Sequence, residues 1–174
     1  SFQPWASRQL VRFGVGFFAM ISVALVDTRI WLRFAYVIYF VSLLLLVLVE
    51  FMGFVGMGAQ RWLDLGYFNL QPSELMKIAL VLALAKYFHG LNMDDVSRPM
   101  RLVIPLLMVL APAALVLRQP DLGTALMLVM ASAAIFFIAG VRLWKFGLVT
   151  IATLISAPIG WQFLHNYQKQ RVYT

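Results

Sequence analysis

GAQRWLDLGYFNLQPSELMKIALVLALAK, residues Gly58–Lys86, decides the fold. It sets Arg61, Asp64, Glu74 and Lys77 into a chain that otherwise reads as membrane. Charges there are costly and rare, so each is a functional-site candidate. Pro72 suits the first turn of a helix, where its missing N–H is not needed, and Glu74 then faces the positive end of the helix dipole. Lys77 follows three residues on, on the same face and close enough to pair. Two readings stay open. The pair lines a functional site near the top of a membrane helix, or Glu74 only caps that helix while Lys77 snorkels its charge to the headgroups.

The composition around this stretch is that of an all-α polytopic membrane protein, a single transmembrane domain over residues 1–174. It is 63% hydrophobic and 12% charged with a mean hydropathy of +0.87, where a soluble domain carries about 25% charged residues. The absence of cysteine excludes disulfides and thiolate chemistry. Two histidines, His89 and His165, without a second ligand at useful spacing, give no support for a metal site. The net charge of +7 is spread singly between apolar runs, which fits anionic lipid or a pyrophosphate head and not nucleic acid. A start at Ser1-Phe2-Gln3-Pro4-Trp5, with neither an initiator Met nor a signal-peptide pattern, reads as an interior piece of a longer protein.

Outward from the central stretch, apolar runs predict six crossings. The first two are Leu10–Val26 and Phe34–Val49, with Asp27–Arg33 between them as a turn. Gly53, Gly56 and Gly58 then break the second helix, and Trp62, Tyr67 and Phe68 predict a loop lying on the membrane surface. The third helix runs from Pro72 to about Phe88, and Gly90–Arg101 is a polar, solvent-facing connection. The fourth, Leu102–Leu117, carries Pro105 and Pro112 on one face and should be kinked, its freed carbonyls met by neighbouring helices. The fifth extends to Val141 with Ala131–Ala134 small enough for close packing. The sixth covers about Phe146–Leu164.

Alternation then puts the N-terminal stretch, the Gly58–Gln71 loop, the Arg118–Asp121 turn and the C-terminal tail on one membrane face. Seven basic residues fall on that face and seven on the other, so the positive-inside rule does not orient the chain. Gln71-Pro72-Ser73-Glu74 and Gln119-Pro120-Asp121 echo each other as good helix starts on the same side, giving no support for an inverted repeat.

Five motifs carry a resemblance to a known family. GAQRWLDLG (Gly58–Gly66), LQPSELMKIAL (Leu70–Leu80), RQPDLGTALML (Arg118–Leu128), FIAGVRLWKF (Phe137–Phe146) and HNYQKQRV (His165–Val172) stand in this order. The chain resembles the SEDS family of bacterial membrane proteins (shape, elongation, division and sporulation). The last motif is similar to the rod-shape branch; the division branch would carry a Glu-Pro-Tyr version there. The resemblance implies a ten-helix bundle, of which these would be helices two to seven, multi-pass in the bacterial cytoplasmic membrane with the motif face outside. It implies a peptidoglycan glycosyltransferase that polymerises lipid II during cell elongation, beside a class B penicillin-binding protein and the elongation machinery.

Such a reaction needs a base for the attacking hydroxyl, cations for the departing pyrophosphate and an apolar groove for the lipid. Arg61, Lys77 and Arg118 are the candidate cations, and Glu74, Gln119 and Asp121 the candidate partners that orient them or bind sugar hydroxyls. No cofactor is identifiable, and a divalent cation at the pyrophosphate is left open. The resemblance places the family's catalytic aspartate in a loop beyond Thr174, so no residue here is assigned as base. Two competing functions remain: a flippase for lipid-linked precursor, using the same charges for translocation, and a non-catalytic scaffold that packs through its small-residue and proline-bearing helices.

Overall fold

The computed structural model describes residues 4–52, 54–56, 59–64, 69–96, 98–119 and 121–147. They form six helices and three short strands: α1 (Pro4–Ala24), α2 (Thr28–Met52), β1 (Phe54–Gly56), β2 (Ala59–Asp64), β3 (Asn69–Leu70), α3 (Pro72–His89), α4 (Met93–Val96), α5 (Pro99–Arg118) and α6 (Leu122–Ile138). The sixth expected crossing lies outside the described residues past Gly147. Two of the helices, over Thr28–Phe51 and Pro99–Arg118, are long and apolar enough to cross a bilayer, and α6 is a shorter apolar helix.

The chain divides into two compact units, Ser1–Phe34 and Ala35–Thr174. The first holds α1 and the start of α2. α1 begins six residues before the expected Leu10 and has 21 residues, of which Gln9–Ala24 form a shorter apolar stretch. The segment read as a turn before the second helix is helical from Thr28, because Asp27 caps it: its Oδ1 accepts the backbone N–H of Arg29 at 2.9 Å.

The second unit is a helix bundle whose directions follow from its contacts. Lys86 near the end of α3 lies 4.6 Å from the ring centroid of Tyr36 on α2, so α2 and α3 are antiparallel. The Phe88 and Phe136 rings meet edge-to-face at 5.2 Å, joining the C-terminal ends of α3 and α6. α5 runs back between them, with Tyr87 reaching Arg101 at its start. Thus α2 and α5 run one way, α3 and α6 the other.

α3 buries Met76, Ala79, Leu80, Ala83 and Leu84, and α6 buries Thr124, Leu128, Ser132 and Phe136 at intervals of four. Small side chains in these rows let the helices approach, which is how helices associate where lipid removes the hydrophobic driving force. Of the expected small-residue stretch, Ser132 is buried and donates to the Leu128 carbonyl at 2.7 Å, whereas Ala134 faces outward. On the outer face of α5, Val103, Ile104, Leu107 and Leu110 are exposed apolar residues suited to lipid.

Pro105 and Pro112 sit inside α5, fully buried. Each removes the N–H that would bond the carbonyl four residues earlier. Those carbonyls belong to Arg101 and Met108, and a tyrosine takes each: Tyr87 Oη donates to Arg101 O at 2.7 Å and Tyr39 Oη to Met108 O at 2.9 Å. The expectation that neighbouring helices meet the freed carbonyls is realised by two hydroxyls, from α3 and α2.

The connection expected over Gly90–Arg101 holds α4 and the start of α5, and the end of α6 and the stretch after α2 also depart from expectation. α6 stops at Ile138, short of Val141, because Gly140 adopts φ 91° and closes a turn in which Val141 N–H reaches Phe136 O at 3.1 Å and Gly140 N–H reaches Phe137 O at 3.0 Å. The expected surface loop after α2 instead contains an antiparallel sheet in the order β1-β2-β3. Its pairing sets Val55 against Gln60 and Asp64 against Asn69.

Candidate functional site

The polar motifs collect at one end of the bundle. The end of α2, the small sheet, the start of α3 and the α5–α6 turn meet there, as the helix directions require. Pro72 occupies the first turn of α3 and Glu74 lies in that same turn. Lys77 Nζ is 2.8 Å from Glu74 Oε2, the expected pairing three residues apart. The lysine side chain is 27% exposed and the glutamate 56%, so the lysine is the more enclosed partner. Below it lies an open groove of about 520 Å³ between α3 and α6, lined by Lys77, Ile78, Val81, Leu82, Met127, Met130 and Ala131. Lys77 therefore belongs both to the ion pair and to the edge of this open apolar groove. That is the local arrangement in which a lipid chain and an anionic head can be held together.

The second cluster is the Arg118–Asp121 turn. Arg118 Nη1 stands 3.6 Å from Glu50 Oε1 of α2. Gln119 is buried and its Nε2 donates to Leu46 O at 3.1 Å, bolting the end of α5 to the last turns of α2. Asp121 is buried as the N-cap of α6: Oδ1 accepts from Thr124 N at 3.2 Å and Oδ2 from the Thr124 hydroxyl at 2.8 Å. Gln119 and Asp121 thus have visible structural duties in this geometry.

Arg61 is the extra residue of β2 at the bulge where Phe54 pairs with Trp62 and Val55 with Gln60. Its side chain lies outside the described structure, so the grouping of Arg61 with Glu74, Lys77 and Asp121 rests on their shared end of the bundle. His165 also lies outside the described residues. His89 is exposed in the last turn of α3. No three of the described histidine and carboxylate side chains come together as a set of metal ligands.

The second apolar run read from the sequence ends at Val49 and gives Glu50 no role. The signal was present: a carboxylate in the last turns of a membrane helix needs a partner.

The family model for cell cycle proteins of the FtsW/RodA/SpoVE type matches residues 2–174. The chain belongs to this family. It is 34% identical over 168 residues to the peptidoglycan glycosyltransferase MrdB of Escherichia coli K12, covering 95% of this chain and 44% of MrdB. A solved peptidoglycan synthase complex that coordinates polymerization and crosslinking contains a chain matching with TM-score 0.81 at 35% identity, over 97% of this chain and 49% of that one. The crystal structure of the rod shape determining protein RodA of Thermus thermophilus matches with TM-score 0.74 at 35% identity, over 87% of this chain and 51% of that one. The chain therefore spans about half the length of the proteins it matches. It is a member of a family of polytopic membrane proteins, as its SEDS motifs and helical bundle required.

Proposed function

We propose that this chain forms the substrate-gripping part of a peptidoglycan glycosyltransferase, which polymerises lipid II at the outer face of the bacterial cytoplasmic membrane during elongation. The observation that carries the reading is the double placement of Lys77, paired with Glu74 at 2.8 Å and lining the apolar groove between α3 and α6. Lipid II joins a long prenyl chain to a pyrophosphate and a sugar. The groove suits the chain, and the cations above it suit the pyrophosphate, whose charge grows as it leaves. Arg118 can present a fork of donors to two phosphate oxygens, which Lys77, a compact point charge, cannot. Arg61 belongs to the same end and is proposed as a third cation. Glu74 holds Lys77 in place, and Gln119 and Asp121 fix the turn that carries Arg118.

The general base is assigned to no residue of this chain, and a divalent cation at the pyrophosphate remains part of the proposal to be tested. A class B penicillin-binding protein and the elongation machinery are the proposed partners, supported by the likeness to a chain of the synthase complex.

The test is polymerisation of labelled lipid II by the full-length protein carrying this chain, reconstituted in liposomes. Lys77→Ala and Glu74→Ala are expected to lower the rate on the order of tenfold or more at unchanged protein level, as loss of a positioned charge does. Wild-type rates in both would sink the site. Movement of lipid II between leaflets with no polymer formed would replace the transferase by a flippase.

A further inference from the structure

Glu50 has no part in the function described so far. Its carboxylate is 31% exposed, while the Arg118 side chain it faces is 75% exposed. The contact is single and long, one Nη to one Oε at 3.6 Å. A guanidinium has five donors in a rigid plane, so this contact engages only one corner of the fork. One helical turn before Glu50, on the same face of α2, the Leu46 carbonyl receives the buried Gln119 side chain. That carbonyl can do so because it has two lone pairs and its own helix uses only one. The last turns of α2 therefore meet the Arg118 region twice: the Leu46 carbonyl receives Gln119 beside it, and Glu50 faces its tip.

Without Glu50 the Gln119 contact would remain, but the arginine would swing through its rotamers. A long side chain that must be ordered on binding loses affinity in proportion to the freedom it gives up.

We propose that Glu50 is a positioning residue that holds Arg118 with its outer edge turned to the pyrophosphate of a prenyl-linked substrate. This rests on the assignment of Arg118 to substrate binding made above. Because Glu50 touches only one corner of the guanidinium, it orients the fork and does not compete for the edge that grips phosphate oxygens.

The test uses the full-length protein carrying this chain in lipid nanodiscs, with undecaprenyl pyrophosphate as probe and uncharged undecaprenol as control. Glu50→Gln keeps the shape and removes the charge. Its Kd for the pyrophosphate is expected to rise by up to about fivefold, the range of an exposed ion pair, with undecaprenol binding unchanged. In polymerisation, KM rises while kcat at saturating lipid II stays at the wild-type value. Arg118→Ala is expected to weaken pyrophosphate binding further, and Glu50→Gln added to it is expected to do nothing more.

An unchanged or tighter Kd in Glu50→Gln overturns the proposal, tighter binding meaning that Glu50 competes with substrate. An equal loss in the Arg118→Ala background overturns it too, since Glu50 would then act elsewhere. If Arg118→Ala binds and polymerises normally, the substrate role of Arg118 falls and the positioning role with it. A loss in Arg118→Ala without one in Glu50→Gln sinks only this inference. Should Glu50→Gln fail to accumulate, Glu50→Asp reads the same loss, because it draws the carboxylate back from a contact already 3.6 Å long.

Discussion

Replacing Tyr39 by Phe isolates one oxygen in the middle of the bundle. The Tyr39 ring is 3% exposed and its hydroxyl lies 2.9 Å from the Met108 carbonyl, the group that Pro112 leaves without an intrahelical donor. Phe would keep the packing and orphan that carbonyl. An orphaned buried acceptor costs about 1–3 kcal/mol. Interhelical hydrogen bonds in membranes measure lower, about 0.6 kcal/mol on average and up to about 1.7, because the unfolded chain also finds partners. We therefore expect Tyr39→Phe to destabilise by about 1–1.5 kcal/mol, towards the top of the membrane range, since no backbone N–H can substitute.

Pro112→Ala supplies that N–H. In its background Tyr39→Phe should cost about 0.5 kcal/mol or less, so the pair should couple by roughly 0.5–1 kcal/mol. The assay is reversible unfolding of the four variants in mixed micelles of mild detergent with increasing SDS. Equal losses from Tyr39→Phe with and without Pro112 would refute the claim that the tyrosine is there for the proline's carbonyl.

Tyr87→Phe tests the same logic at the bundle end, where its bond to Arg101 is exposed and water can replace it; the expected cost is about 0.5 kcal/mol or less in the same unfolding assay. Asp121→Ala should destabilise by about 1 kcal/mol through loss of the α6 cap, while Asp121→Asn keeps an acceptor for Thr124 N–H and should cost a few tenths. A polymerisation defect in Asp121→Asn at full stability would give that residue a substrate role as well as its cap. Ala131→Leu should fill the groove beside Lys77, leaving unfolding unchanged because the side chain enters open space; lipid II polymerisation with raised KM is the expected readout, and an unchanged KM would remove the groove from the substrate path.

What could be read from residues alone was whatever is local in sequence. The Pro72 start of α3, the Glu74–Lys77 pair and the alternation that gathers the motifs at one end all depend on spacings of a few residues, which helix geometry fixes. The end of α6 was misplaced because an unbroken apolar run hides a helix terminus, and only the positive φ of Gly140 shows it. The strands after α2 were missed for a related reason: their ladders are two or three pairs long, too short for alternation to register as a pattern. The hydrogen bonds that tie α2 to α5 are of another kind. Gln119 to Leu46 spans 73 residues and Tyr39 to Met108 spans 69. No local rule reports such a partner, although the need for one can be inferred from the proline or the charge that creates it.

Those long-range contacts share a helix. α2 supplies Tyr39 to the carbonyl freed by Pro112, Leu46 O to Gln119 and Glu50 to Arg118, in that order along its length. Their partners are Met108 in the middle of α5 and Arg118 and Gln119 at its C-terminal end, so the two helices run parallel. An interior span with no catalytic motif of its own thereby fixes the height and rotation of the helix whose end carries the RQPDLG sequence. Because Tyr39 is about three helical turns below Glu50, a change at the proline bond would reach Arg118 by tilting or rotating α5. The Tyr39→Phe variant should therefore raise KM for lipid II slightly, whereas in the Pro112→Ala background, where a backbone N–H serves the Met108 carbonyl, it should change KM little. KM measured for Tyr39→Phe with and without Pro112→Ala reads this coupling, and a KM that Tyr39→Phe leaves at the wild-type value would show that α2 holds α5 without steering it.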